Sequence, residues 1–407
     1  MGAKTRKLSQ INDSLIEWQS VVVADGSTGL TAVAGRGYFI NTTGGAITVT
    51  LPSATAKPGD TIQLKDYART WGTNAVSIAS NTFDGVTNNP SFSTNGQTVT
   101  LVYMDNTRGW SLINEDTTTG LDAGFISATG GTITTSGNFK IHSFTGDGCF
   151  VVATAGNPAG SDKVDYLVVA GGGGGGKGSG AGGGAGGYRT TFPSPGCNAG
   201  SFPVTATTFP ITVGGGGPGA GPTRGRGTSG SNSVFSTITS SGGGGGGGQS
   251  PGPGLGNSGG SGGGSISVNL TPTPGVGGAG NTPPVSPSQG NPGGNAENGE
   301  GSGGGGGAGA VGTNGSTPSG GPGGAGLANL ISGSPVTFAG GGGGGHFNAS
   351  GVGTGGSGGG GTASNPTNGT AGSVNTGGGG GGASDFPGPG NGGAGGSGIV
   401  VIRYKFQ

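Results

Sequence analysis

Six consecutive glycines, Gly171 to Gly176, directly follow the apolar stretch YLVVA, and this juxtaposition restricts the fold more than any other feature of the chain. An α-helix is excluded through such a run, since each interior glycine costs about 1 kcal/mol relative to alanine. The same module recurs: FPITV leads into Gly214, SVFSTITSS into Gly242 and SPVTFA into Gly340. Further glycine-rich stretches lie near Gly254 to Gly264, Gly301 to Gly307, Gly351 to Gly361, Gly377 to Gly382 and Gly388 to Gly398, and the chain closes on GIVVIRYKF. Repeats of a unit that cannot bury itself alone mark a stacked architecture.

The first run also imitates a phosphate-binding loop. The pattern GxxxxGK[ST] fits from Gly171 through Gly176 and Lys177 and fails at Gly178, where a hydroxyl should hold magnesium. No helix can follow in SGAGGGAGGYR to point its N-terminus at a phosphate. No nucleotide or other cofactor is therefore expected, and the glycines need another explanation.

Of 407 residues, 112 are glycine and 24 proline, while 8% are charged; ordinary domains hold about 7% glycine. The glycines come in solid runs, which excludes the every-third-residue pattern of collagen. An isolated run is a flexible coil, but many antiparallel runs in one chain have an alternative. Each adopts a polyproline II helix of three residues per turn, about 3.1 Å per residue, with every N–H and C=O directed outward. Those groups must find partners or water, and only glycine lets neighbouring helices approach closely enough to pair. A net hydrogen bond of about 1 kcal/mol barely offsets about 1–2 kcal/mol of backbone entropy, so apolar strands such as YLVVA and GIVVIRY must brace the bundle.

Sixteen basic and sixteen acidic residues balance, so no electrostatic footprint for nucleic acid appears. Cys149 and Cys197 are too few for a disulfide framework, and His142 and His346 lack ligand-spaced partners, so no metal site is expected. The start MGAKTRKLSQIND has no apolar core of a signal peptide, and Arg6 breaks the myristoylation pattern. No stretch approaches the ~20 apolar residues of a membrane span, which predicts a soluble protein made in the cytosol.

The remaining chain reads mainly as β. Residues 5–19 are the exception: Leu8, Ile11, Leu15 and Trp18 follow an a/d seam, which predicts a short helix over residues 1–19, either for oligomerisation or docking or as a cap on the next domain. Residues 20–116 show short alternating strands with turn signals, predicting a small antiparallel sandwich. Its Trp71, Trp110, Tyr38 and Phe39 suit a core, with a carbohydrate platform as the alternative. Residues 117–163 predict a hairpin segment leading into the next domain, with His142 on its solvent face, and residues 164–407 the polyglycine II sandwich bracketed by strands.

The succession VDYLVVAGGGGGG, AGGYR, FPITVGGGG, SVFSTITSSGGGGGGG and GSGIVVIRYKF resembles the glycine-rich domain of tailed-phage fibre and adhesin proteins, over roughly residues 125–407. YFINTTGGAITVTLP, GDTIQLKDYA and VTLVYMDNTRGWSLIN are similar to β domains of cyanophage appendage proteins. The resemblance implies a virion protein assembled in the host cytoplasm, commonly homotrimeric, joined to other tail or fibre proteins by its N-terminal region. Loops of the glycine-rich domain would bind a host surface glycan or outer-membrane protein. Candidate loops start at Ser265, Phe347 and Asn365, and Tyr188, Phe192, Phe202, His346, Phe347 and Phe386 are the candidate contact residues, each equally able to cap the sandwich edge. The alternatives are a purely structural neck, whisker or decoration protein and an ice-binding bundle. An enzyme is disfavoured: Glu297 and Glu300 sit in a glycine loop, and no Ser/His/Asp set is discernible.

Overall fold

The computed structural model describes residues 16–85, 87, 90–117, 124–157, 160–192, 202–249, 254–266, 275–296, 301–347, 351–364, 366–384 and 390–407. Two compact units divide the chain, Met1–Ala123 and Gly124–Gln407. Among the described residues the fold is mainly β, in several open sheets, with no α-helix. Leu8, Ile11 and Leu15 lie outside the described residues. The expected helix is corrected at its other end, because Glu17–Trp18 is a strand parallel to Arg36–Asn41. There Trp18 stacks on Phe39 at 4.5 Å, and Glu17 approaches Arg36 at 3.7 Å. Packing of this kind outweighs a weak local helical preference.

In the first unit the chain alternates between two sheets. Arg36–Asn41 lies in one, Ile47–Thr50 in the other, Thr61–Asp66 back in the first and Val76–Ala79 in the second. Strands returning to the same sheet therefore run parallel, Tyr38 beside Leu64 and Val49 beside Ile78. This corrects the antiparallel sandwich. Parallel neighbours need a crossover, and here the strand in the facing sheet supplies it, so turn signals that resemble hairpins carry the chain across the core. Only the later strands, such as Gln97–Asp105 with Gly109–Thr117, pair antiparallel. Tyr38, Ile40, Val49, Ile62, Leu64, Trp71, Val76 and Trp110 fill the interior, and the Trp110 indole N–H donates to the Pro52 carbonyl at 2.7 Å. Tyr38, Trp71 and Trp110 are thus core residues, whereas Phe39 faces outward.

The second unit is built on Lys163–Val169 and Ile399–Lys405, paired antiparallel with Val168 opposite Val400. One face of this pair, with Tyr166 and Tyr404, packs on Phe150 and Phe235, the other, with Leu167 and Val401, on Ile331 and Phe338. Burial on both faces explains why VDYLVVA and GIVVIRYK are continuous apolar runs. Phe139–Phe144 joins the same sheet along Ile399–Lys405, so the segment expected to lead into this unit is part of its base.

His142 is corrected from surface to core: it is fully buried, between the rings of Phe150 and Tyr404. Alternation misleads here because neither face of the sheet meets water. Nδ1 donates to the Gly130 carbonyl at 2.7 Å, which leaves Nε2 to accept from the Tyr404 hydroxyl at 3.1 Å. Burial, and secondarily nearby Lys140, hold its pKa below 6.5 against the opposing Gly130 bond.

From this base the glycine segments extend as rods with a three-residue period. The N–H groups of Gly171, Gly174 and Lys177 donate to Ser231, Thr228 and Gly225; those of Gly172 and Gly175 to Gly396 and Gly393; those of Gly173 and Gly176 to Gly184 and Ala181. These three neighbours run antiparallel. The carbonyls of Gly171 and Gly174 accept from Gly243 and Gly246, of Gly172 and Gly175 from Gly217 and Ala220, and of Gly173 and Gly176 from Gly380 and Ala383, all parallel. One rod is therefore enclosed on every side by hydrogen-bonded rods, the polyglycine II arrangement. A Cβ at Gly172, Gly173 or Gly174 would fall 2.1, 2.2 or 2.1 Å from the carbonyl oxygens of Gly378, Gly244 and Pro218, on three different neighbours. At the perimeter the demand relaxes: in the rod over 214–220, Gly214 and Gly217 are buried while Gly215 and Pro218 face solvent.

Two outcomes follow. Gly174→Ala is expected to lower the stability of the full chain by more than about 4 kcal/mol, seen as a fallen thermal midpoint, or to prevent folding, whereas Gly215→Ala, with nothing within 4 Å of its Cβ, should change it by no more than about 0.5 kcal/mol. Because the folded state holds His142 neutral, its stabilising effect is complete above the unfolded pKa near 6.5 and is lost as pH falls below it. Melts between pH 7.5 and 5 should show this acid loss, and His142→Gln should flatten it.

Candidate binding surface

The rods give the second unit two different ends. The rod over 171–177 leaves the sheet strand Lys163–Val169, so the turn at Lys177–Gly180 lies at the far end. Backbone bridges and one side-chain bond gather other turns at that level: Lys177 with Gly225 and Ala383, Ser364 with Ala383, Gly301 with His346, and the Ser302 hydroxyl donating to the Ser179 carbonyl. Ser316 and Ser319 pair beside Gly301. The far end is thus a cluster of Ser-, Pro-, Gly- and Asn-rich turns held by rods that cannot slide.

Lys177 locks this end. It is 4% exposed, and its ammonium donates to the Pro222 carbonyl at 3.0 Å and to Asn391 Oδ1 at 3.2 Å. A buried ammonium is tolerated when hydrogen-bonded, and these two bonds tie three turns together. The phosphate-loop resemblance ends here: every N–H from Gly171 to Lys177 already donates to a protein carbonyl, so none is left to cradle a phosphate.

A second group of residues escaped the sequence reading. Where no further rod supplies a carbonyl, short side chains of perimeter rods replace it. Gly242 donates to Asn232 Oδ1 at 2.9 Å and Gly245 to Ser229 Oγ at 3.3 Å, so two donors three residues apart meet two acceptors three residues apart. Gly277 likewise donates to Asn295 Oδ1, Asn295 to Asn314 Oδ1, and Asn391 to Asn368 Oδ1, each at 2.8–2.9 Å. The spacing in GTSGSN, a glycine at every third position with polar residues between, is the signal that could have revealed them.

The candidate contact residues separate between the two ends. Tyr188 is buried in the base, its hydroxyl accepting from Asn329 Nδ2 at 2.7 Å. Phe192 packs under the Arg403 guanidinium at 4.8 Å, and Phe202 packs on Phe235 at 5.1 Å. These three brace the sheets. His346 and Phe347 lie at the far end, His346 buried and Phe347 39% exposed. Phe386, Glu297, Glu300 and Cys197 lie outside the described residues, as do residues 267–274, 348–350 and 365 of the candidate loops, whose described flanks reach the far end. Cys149 is an exposed free thiol. No cluster of three metal-ligating side chains occurs among the described residues, and no helix there is long and apolar enough to cross a membrane.

A family model described as a glycine-rich domain matches residues 145–405. The match begins after Phe139–Phe144, although that strand pairs within the same sheet. No curated protein matches the chain.

Lys177→Met should lower stability by about 1–3 kcal/mol, since hydrogen bonds to a charged group are lost. In the same thermal-shift assay ATP with magnesium should leave the midpoint of the unaltered protein unchanged; a saturable rise would restore the phosphate-loop reading.

Proposed function

The chain belongs to the glycine-rich domain family, and from that premise we propose that it is a non-enzymatic phage adhesin or tail-fibre protein that contacts the bacterial host through the far-end turns of its second unit. One observation carries this reading: the rods hold a set of turns at the end opposite the sheets, and their own backbone demands little of what those turns contain. Binding residues concentrate on loops set on rigid scaffolds, and here the scaffold is a lattice of backbone hydrogen bonds. Among the described residues, Phe347 is the exposed large aromatic at this end and the first contact to test. The N-terminal unit then serves attachment to the particle, and the protein resides in the tail or fibre of the virion.

Fluorescently tagged full-length protein is expected to adsorb saturably to host cells and to compete with phage for adsorption. Replacing residues 267–274 by a glycine-serine linker of equal length should abolish adsorption while the melting midpoint is kept. A protein that does not adsorb, yet is found in purified particles by antibody labelling, would be a structural virion component instead.

A further inference from the structure

The base sheet of the second unit carries one open edge. Thr132–Ser136 is its outermost strand and pairs with Phe139–Phe144 in an unbroken register, Thr134 opposite Ile141. The direction of its backbone groups follows from the next strand in. The Phe406 N–H donates to the Asn138 carbonyl at 3.0 Å, so by alternation Phe139, Ile141 and Ser143 turn their backbone groups the other way, toward Thr132–Ser136. Their partners Ser136, Thr134 and Thr132 are thereby satisfied, and the N–H and C=O of Ile133 and Thr135 point out of the sheet. Among the described residues nothing bonds to these four groups. The turn at Gly333 meets the strand on one face, its Cβ position 3.0 Å from Ser136 Oγ, and leaves the edge itself open.

Such an edge templates pairing with another chain, and proteins ordinarily blunt it by shortness, irregularity, proline or charge. The other edge strands among the described residues follow that rule. Gly109–Thr117 is long, but its register is broken twice, and the rest are two or three residues long. At the opposite edge of the same sheet, Tyr188 already gives its N–H to the Gln289 carbonyl. Thr132–Ser136, in contrast, has five residues in regular pairing and neither charge nor proline. Ile133 is 45% exposed although it lies beside the fully buried His142, at the border of the core.

We propose that this edge pairs with the same edge of a second copy of the chain about a two-fold axis, joining the two base sheets into one. The groups on the edge select this occupant. With Thr134 of one copy opposite Thr134 of the other, Ile133 meets Thr135 on both sides of the axis. Each of those pairs exchanges two bonds, so every outward N–H and C=O of the strand is used. A register displaced by one residue would set outward groups against inward ones. Thr134 against itself is a favourable cross-strand pair, and no like charges meet. Lys140, the register partner of Thr135, is one strand in; its copy lies three strand spacings or about 14 Å away, beyond the screening length of about 10 Å. Each chain offers one such edge, so the association closes at two copies. Five residues a side fall short of the roughly 20–30 of a stable interface, which makes the contact weak and reversible. It lies at the base, away from the far-end turns, so either can fail without the other.

Sedimentation equilibrium of the full-length protein over a wide concentration range should fit a reversible association of two copies. Thr134→Lys sets two ammonium groups face to face at the axis. Thr135→Pro removes one outward N–H from each copy and spares the inward bonds, a substitution that edge strands accept. Each variant should weaken the association by about tenfold or more while the single chain stays folded by circular dichroism. An equimolar mixture of the Thr134→Lys and Thr134→Glu proteins should associate again, because opposite charges then meet at the axis, whereas neither should do so alone. A purified chain that stays monomeric throughout would overturn the proposal and leave the edge to a strand of another protein. A larger assembly, a trimer included, whose mass neither variant changes would overturn it equally, as would a mixture that fails to associate.

Discussion

The second unit depends on one interaction, the N–H···O=C bond between neighbouring glycine rods. In an ordinary domain such bonds organise chains that are held together by side-chain burial. Here the interior has almost no side chains to bury, and the backbone itself is the packing surface. Each bond contributes only about 1 kcal/mol net, close to the entropy lost on ordering a residue. The lattice is therefore stable only where nearly every donor has its acceptor and where an apolar base fixes the first and last rods in register. The pairing of Val168 opposite Val400, in a sheet buried on both faces, provides that register.

The perimeter shows how strict this requirement is. A rod enclosed on all sides tolerates no Cβ, as at Gly172 to Gly174. A rod at the face needs glycine only where it looks inward, and admits Pro218, Pro322, Val276 or Ala325 as well as Gly215 where it looks outward. Proline at such sites removes a donor that would face water and presets φ near the polyproline II value. Asn232, Ser229 and Asn295 then complete the lattice by offering side-chain oxygens in place of an absent rod. Glycine content along the chain is consequently a record of how enclosed each segment is.

This division between lattice and turns links the fold to the proposed role. Rod sequence is restricted by the approach of neighbouring backbones, whereas turn sequence is restricted at particular side chains, such as Lys177, which joins three turns, and Ser302, which reaches the Ser179 carbonyl. A scaffold of this kind can carry very different far-end surfaces without altering its interior. The first unit solves a different problem with conventional means, alternating side chains from two sheets around Trp71 and Trp110.

The glycine runs, their polyglycine II conformation, the bracing strands and the predominance of β structure were legible in the sequence, because these follow from local sterics: a run of residues without Cβ has one way to satisfy its backbone inside a compact body. The core positions of Tyr38, Trp71 and Trp110 were legible too, because large aromatics in a small domain are usually buried, but the same reasoning put Phe39 there and the strand turns it outward. What the sequence left undecided depended on partners distant along the chain. His142 lies in the core because the sheet is covered on both sides, and Glu17–Trp18 is a strand because Arg36–Asn41 and Phe39 are beside it. Parallel pairing in the first unit arises because each turn crosses to the facing sheet. Tyr188, Phe192 and Phe202 brace the base while Phe347 reaches the opposite end, since the direction of each rod is set by its hydrogen-bonded neighbours and not by its own residues. The sequence by itself determined that these backbones could pack; only the tertiary structure decided which rod met which, because identical glycine runs carry no information about their neighbours until the sheets that bracket them are in place.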